Sequence, residues 1–401
     1  MATTNKQTIW VYAHWKGLTE PLCIGELRVQ QSRGTTAYSF QYSTNWLNTE
    51  AQRLLDPDIG WYSGPQYPVD KTNFGLFLDS MPDRWGRTLL TRKSAREAKK
   101  KGESTPILRD VDFLLGVFDE TRMGALRFKT DPAGPFLDND PQQAIPPWSS
   151  VRTLQYAANQ IEQDTEDSPD EEWLNLLIAP GTSLGGARPK ANIQDADGSL
   201  WIAKFPSGQD EIDKGAWEYL LHLLAIRAGI DMAPSRLEKI QGRHHTFFTK
   251  RFDREKNQRI HFASAMTMLG RTEQSVRESP ASYLELAEFI QYNGRDISED
   301  LAQLWRRIVF HILVSNTDDH LRNHGFLLTE KGWKLSPAFD LNPAIGSYGL
   351  SLNINLEDNA LDIDLAKEVG PFFQLSKQNM ERIIEEVKSI IRPHGVVYIP
   401  F

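Results

Sequence analysis

The sequence predicts an α+β chain of more than one domain: a β-rich N-terminal subdomain, a mixed lobe of strands and helix, and a mainly helical C-terminal lobe. Three observations predict it. Short runs of alternating apolar and polar residues fill roughly the first third of the chain. Strand-like runs flank a glycine-rich stretch near the middle. Beyond Leu301, apolar residues recur at steps of three and four, the stripe of a helix with one buried face. A chain of 401 residues is too long for one ordinary core, and 40% hydrophobic with 10% aromatic content is ample for packed domains.

The elements follow in order. Ile9-Trp10-Val11-Tyr12-Ala13 and Tyr38-Ser39-Phe40-Gln41-Tyr42 read as strands, and Thr88 to Lys101 as a basic helix with a solvated face. Pro- and Asp-rich residues from Asp131 to Pro147 read as a linker, followed by a short helix and the acidic stretch Glu162 to Glu172. Ala191-Asn192-Ile193, the turn Asp195-Ala196-Asp197-Gly198 and Leu200 to Phe205 read as a hairpin. A helix with Trp217, Leu220, Leu221, Leu224, Ala225 and Ala228 on one face comes next. Leu301, Leu304, Trp305, Ile308, Val309, Ile312 and Leu313 mark a second helix that stops at Val314. Gly325 to Leu328 and Trp333 to Leu335 read as a second hairpin across Glu330-Lys331-Gly332, and Met380 to Ile391 as a closing amphipathic helix. The expected divisions are 1–130 for the β-rich subdomain, 131–172 for linker and helix, 173–255 for the mixed lobe and 256–401 for the helical lobe.

A net charge of −8 argues against a nucleic-acid surface over the whole molecule. A single cysteine, Cys23, excludes an intramolecular disulfide and a cysteine-based metal site, and fits a reducing compartment. The N-terminal residues hold no apolar signal core, and no apolar run approaches the roughly 20 residues that span a bilayer. The expectation is a soluble, cytoplasmic protein with no membrane partner. No short-period repeat stands out.

Asn316-Thr317-Asp318-Asp319-His320-Leu321-Arg322-Asn323 is the most informative stretch. It sets Asp318 and Asn323 five positions apart just past a buried helix, with a hairpin and then Asp340 downstream. Upstream, Gly181-Thr182-Ser183-Leu184-Gly185-Gly186-Ala187-Arg188-Pro189-Lys190 is rich enough in glycine for backbone N–H groups to approach phosphate oxygens. Taken alone it is an ordinary turn: it lacks the G-K-[ST] of a Walker loop and the spacing G-x-G-x-x-G. Lys204 ends a strand, and Glu218 lies on the following helix where the two can pair. The joint order of glycine loop, strand lysine, helix glutamate, D-x-x-x-x-N, hairpin and aspartate is that of the phosphoryl-transfer machinery of protein kinases. Such chemistry needs positioning and charge neutralisation more than covalent help. Asp318 is the candidate for orienting, and taking the proton from, an attacking hydroxyl. Asn323 and Asp340 offer oxygen ligands suited to Mg²⁺, and Lys204 a fixed positive charge. The adjacent Asp319 should point elsewhere on so tight a loop. A rival reading groups His311, His320, His324, Asp318 and Asp319 as a metal hydrolase, but leaves Lys204 and the glycine loop without a role; His311 reads as a satisfied interior histidine.

Ser183-Leu184-Gly185-Gly186-Ala187-Arg188-Pro189-Lys190-Ala191, Lys250-Arg251-Phe252-Asp253-Arg254, Asn316 to Asn323 and Phe339-Asp340 resemble the motifs of HipA-family serine/threonine kinases, toxins of bacterial type II toxin–antitoxin modules. Phe77-Leu78-Asp79-Ser80-Met81-Pro82-Asp83-Arg84 resembles the N-terminal subdomain of the same family. The resemblance makes 173–255 the nucleotide-binding lobe and 256–401 the catalytic lobe of a kinase-like domain. It implies ATP and Mg²⁺, with Lys204 on the phosphates, Lys250-Arg251-Phe252 as a hinge near adenine, Phe339 and His320 at the nucleotide, Asp318 as catalytic aspartate, and Asn323 and Asp340 as metal ligands. Ser183 matches the serine that such kinases autophosphorylate, and a phosphate there would repel the phosphates of ATP. The implied partners are a small helix-turn-helix antitoxin of the HipB type, through which DNA is reached indirectly, and a translation protein of the aminoacyl-tRNA synthetase class as substrate.

Two departures set the chain apart from ordinary kinases. Asn316 stands where they carry the His of H-R-D, and Phe339-Asp340-Leu341 replaces D-F-G. Both fit the HipA pattern. They leave open which residues serve as activation segment, with Phe262 to Tyr283, including Met266, Met268 and Arg271, the candidate stretch. The alternatives are a small-molecule phosphotransferase of the aminoglycoside-kinase type, which also carries D-x-x-x-x-N, and a nucleotide-binding pseudokinase acting as corepressor.

Overall fold

The computed structural model describes residues 5–32, 35–49, 52–140, 144–163, 171–178, 186–256, 258–343 and 348–392. The N-terminal part is built on an antiparallel four-stranded sheet in the order Thr35–Tyr42, Leu22–Ser32, Asn5–Ala13, Leu126–Lys129. Alternation places Ile9, Val11, Ala13, Tyr38, Phe40, Tyr42, Leu126 and Phe128 in the core. At Gly25 a Cβ would fall 2.2 Å from the Gln41 carbonyl oxygen, so the bulge opposite Val11 and Tyr12 requires glycine.

The basic helix begins earlier than the charge pattern suggests. It runs Arg84–Lys101, is capped at Asp83, whose Oδ1 accepts from the Gly86 N–H at 2.9 Å, and closes on Gly102 at φ 69°. Trp85, Leu89 and Leu90 are its buried anchors.

Residues within 131–172 do more than link. Trp148 stacks on Phe248 with ring centroids 4.6 Å apart, and the helix Val151–Gln163 buries Leu154, Ala157, Ala158 and Ile161. Gln155 ties that helix to the Gln241 carbonyl and the Thr246 hydroxyl. This stretch therefore packs on the next lobe as part of its structure.

That small lobe is an antiparallel sheet in the order Lys190–Gln194, Leu200–Lys204, Thr246–Lys250, Ser235–Glu238, with the helix Lys214–Arg227 laid across it. The large lobe is mainly helical, around the 18-residue helix Ile297–Val314, with Tyr283–Asn293, Ile363–Val369 and Lys377–Ile391 about it. Its short sheet pairs Phe262–Ser264 with Gly325–Thr329, and Gly325–Thr329 with Gly332–Leu335, so the expected second hairpin is present. Phe262 to Met268 is thus strand and short buried helix, and Arg271 is fixed by a two-pronged pair with Glu285 at 2.9 Å. Among the described residues no helix is long and apolar enough to cross a membrane.

Candidate active site

The strand Leu200–Lys204 carries Lys204 to the mouth of the cleft between the lobes. Its Nζ lies 2.5 Å from Glu218 Oε1 and 2.7 Å from Asp340 Oδ1. Burial works against the lysine's charge, but Asp340 and Glu218 outweigh it and hold its pKa above the ordinary lysine value. Glu218 comes from the small lobe and Asp340 from the large one, so one ammonium ties both together. Asp340 sits at φ 60°, a left-handed conformation that costs a non-glycine residue and here turns its carboxylate into the cleft. Burial raises the Asp340 pKa, yet Lys204, with Lys190 and His320 behind it, brings the net shift below the usual value. Asn342 Nδ2 donates to Asp340 Oδ1 at 3.2 Å, and Asn342 N–H to Asn316 Oδ1 at 3.3 Å, which fastens this aspartate to the start of the Asp318 loop.

That loop owes its shape to the end of its helix. Ser315 takes φ 53°, and the Asn316 N–H returns to the His311 carbonyl at 3.0 Å. The two neighbouring aspartates then part. Asp319 is 2% exposed and accepts from His324 Nε2 at 2.7 Å, from His311 Nδ1 at 2.9 Å and from the Tyr283 hydroxyl. Burial pushes its pKa up, but the two histidines outweigh that and hold it well below the carboxylate range. Asp318 is exposed, its carboxylate unengaged among the described residues. Its backbone carbonyl accepts from Asn323 Nδ2 at 2.9 Å, which leaves Asn323 Oδ1 buried and without a hydrogen-bond partner among the described residues.

His311, expected to be satisfied, is so on one nitrogen: Nδ1 meets Asp319, and Nε2 is buried without a partner. Among the described residues no group of three or more His, Cys, Asp or Glu side chains is placed to hold a metal ion by itself. The His311, His324 and Asp319 cluster is a hydrogen-bonded brace for the loop.

Above Lys204 the cleft is largely apolar, with Ile202, Met232, Phe247 and Leu341 on its walls. Phe252 and Phe339 close one side with ring centroids 5.6 Å apart, and Phe262 backs Phe252 at 5.8 Å. Lys250, Arg251 and Phe252 all border this space. The Arg251 guanidinium, however, turns away from it into Asp253, the Asn192 side chain and the Thr121 carbonyl. It braces the hinge against the N-terminal part. His222, which spacing had not marked, also lines the cleft; burial drops its pKa to about 4 and keeps the ring neutral.

Ser183 and Gly185 lie outside the described residues. Gly186, at φ 87°, and Ala187 are exposed, and the Pro189 carbonyl accepts from the Phe205 N–H at 2.9 Å. Arg188 forms a two-pronged pair with Asp210 at 2.8 and 2.7 Å, and Lys190 reaches Asp83 of the N-terminal part at 2.5 Å. Among the described residues His320 Nδ1 is buried without a partner. The structure therefore brings Lys204, Glu218 and Asp340 together in the cleft with Phe252 and Phe339, while Asp318 and Asn323 are joined to each other on the loop that Asn316 fastens to Asn342.

A likeness to known proteins accompanies this arrangement. Residues 182–393 match the family described as HipA-like C-terminal domain. A Sinorhizobium fredii (strain NBRC 101917 / NGR234) protein named "Putative kinase Y4mE" is 23% identical over 242 residues, which are 52% of this chain and 56% of that protein; the chain thus spans little more than half the length of this curated relative. HipA of Shewanella oneidensis MR-1, solved as a toxin–antitoxin complex with HipB and its operator DNA, superposes with a TM-score of 0.66 over 98% of this chain and 92% of that one at 18% identity, a likeness of fold. With the family match covering more than half of its residues, the chain belongs to the HipA family through its HipA-like C-terminal domain.

Proposed function

We propose that the chain is an ATP-dependent serine/threonine protein kinase of the HipA toxin type. The observation that carries this reading is Lys204 held at 2.5 and 2.7 Å by carboxylates from both lobes, beneath an apolar slot bordered by Phe252 and Phe339. A purine ring suits the apolar slot, and the phosphates then reach the cations at the mouth.

Mg²⁺ fits the residues present. Among the described residues Asn323 Oδ1 is a buried oxygen without a partner, and Lys204 holds the Asp340 carboxylate in its ionised form. Two hard oxygen donors, completed by phosphate oxygens and water, are what this ion takes. When bound, the metal neutralises charge on the phosphate oxygens. Asn323 and Asp340 would hold it. Lys204 fixes the phosphates, and Asp318 orients the substrate hydroxyl and accepts its proton. Asp319 keeps Asp318 in place.

The reading extends to a serine on a translation protein of the aminoacyl-tRNA synthetase class as substrate, to autophosphorylation at Ser183, to action in the cytoplasm and to a HipB-like antitoxin that carries the complex to DNA. The family and the fold shared with the Shewanella HipA–HipB–DNA assembly support it. Labelled ATP is the test, with wild type and Asp318→Asn side by side. Label on Ser183 and on a cell protein, lost in the variant, is the expected result; no Asp318-dependent transfer to any protein overturns the kinase reading.

A further inference from the structure

The segment Asp79 to Trp85 joins the short helix Gly75–Leu78 to the helix Arg84–Lys101 in the N-terminal part of the chain. Its polar side chains do not serve that part alone. Asp79 Oδ2 accepts from the Ser264 N–H at 2.7 Å and Oδ1 from the Ser264 hydroxyl at 2.7 Å, on the large lobe. Four residues on, Asp83 uses both its oxygens: Oδ1 caps its own helix at Gly86, and Oδ2 meets Lys190 Nζ at 2.5 Å, on the small lobe. Trp85 Nε1 donates to the Lys190 backbone carbonyl at 3.1 Å. The joint between the two carboxylates is stiff. Pro82 fixes one φ, and the Ser80 carbonyl accepts from buried Arg122 at 2.9 Å.

We propose that this segment is a clasp between the two lobes of the kinase-like domain and that Asp83 is a positioning residue for the phosphate end of the nucleotide site, acting through Lys190. The lobes already meet through the Lys204–Asp340 pair and through the Arg306 guanidinium on the Ala228 carbonyl; the clasp adds a connection by way of the N-terminal part and so further limits their relative motion. The clasp grips the small lobe where it matters, since Lys190 closes the glycine-rich loop and its Nζ also lies 3.4 Å from the Gly186 carbonyl. The Lys190–Asp83 pair is almost sealed from water, with side chains 2% and 8% exposed, so its geometry is held tightly. The consequence for ATP rests on the functional reading given above, whereas the clasp itself does not.

The experiment has two arms on the full chain. Hydrogen–deuterium exchange without nucleotide reads the clasp: Asp83→Asn and Trp85→Phe should speed exchange at Gly186 to Lys190, and Asp79→Asn at Ser264 to Met268, while amides in Lys377–Ile391 stay as in wild type. Unchanged exchange at both sites overturns the clasp. Kinetics reads the consequence. Asp83→Asn should raise the KM for ATP about tenfold, the size of one lost charge-assisted contact, and Trp85→Phe by a smaller factor, with kcat little changed in both, and Asp83→Glu should restore much of it. A fall in kcat at unchanged KM, or additive effects of Asp83→Asn and Lys190→Met, overturns the positioning role. If wild type binds no ATP while the exchange changes appear, the nucleotide reading fails and the clasp stands. Should Asp83→Asn not fold, Trp85→Phe carries both arms, because it keeps an aromatic side chain at the site while removing the donated hydrogen bond together with part of the indole.

Discussion

Lys204 Nζ stands 2.5 Å from Glu218 Oε1, an ion pair between a strand and a helix of the same lobe that the sequence separates by fourteen positions. The pair aims the ammonium at the mouth of the cleft. Glu218→Gln keeps the shape and removes the charge, so the lysine stays near Asp340 but loses one of its two anchors. Phosphotransfer should fall at least about 100-fold, the scale on which a preorganised electrostatic group contributes, while thermal stability changes little. Labelled-ATP transfer beside a melting curve checks this, and full activity in Glu218→Gln would remove the pair from the mechanism.

The two adjacent aspartates should respond in opposite ways. Asp318→Asn is expected to cut transfer by about 100- to 10,000-fold with nucleotide affinity and Tm near wild type, because the exposed carboxylate holds nothing in the fold. Asp319→Asn strands Tyr283, His311 and His324 around a neutral amide. A loss of about 3–5 kcal/mol is expected in chemical denaturation, the cost of breaking a buried charged pair. Equal stability losses in the two variants would contradict this division of roles.

Among the described residues Asn323 Oδ1 is buried without a partner, which leaves it open to a cation. Asn323→Ala should raise the Mg²⁺ concentration needed for half-maximal activity at least about tenfold, the scale on which even groups one step removed from a metal act. A Mg²⁺ titration at saturating ATP decides it; an unchanged midpoint takes Asn323 off the metal.

His261 is 2% exposed between Trp15 and Trp333, at 5.5 and 5.8 Å between ring centroids, and burial lowers its pKa to about 3. A depressed pKa adds stability above the unfolded value near 6.5, and this is lost as pH falls toward the folded value. Between about pH 7 and pH 5 the loss from this one ring is about 2 kcal/mol. His261→Phe should flatten the pH dependence of unfolding by that amount. Parallel curves for wild type and variant would show that the ring is not held neutral.

Much of the fold was legible locally. The helix stripe from Leu301, the stop at Val314, the hairpin after Asn323 and the turn at Gly198 all appear where side-chain period and turn residues put them. So did the pairing of Lys204 with Glu218, since a strand end and the next helix have few ways to meet. The destinations of charged side chains were less legible. Arg251 borders the cleft, yet its guanidinium points away from it, because Asp253 and the carbonyls of residues 121 and 122 bind it there. Nor did composition reveal that the Pro-rich stretch ends in Trp148 stacked on Phe248; a linker and a capping segment differ only in what they find to bury against.

The sequence by itself determined which kinds of groups the site would hold and in what order, since glycine loop, strand lysine, D-x-x-x-x-N and final aspartate are set by local spacing. It also determined the family, through motifs that keep that order. Tertiary structure alone decided that Asp319 braces while Asp318 faces outward, because that choice depends on where Tyr283 and His311 arrive. It alone joined Asp83 to Lys190 across 107 positions. Spacing governs neighbours along the chain, whereas the burial that makes such a contact favourable exists only after both lobes and the N-terminal part have come together.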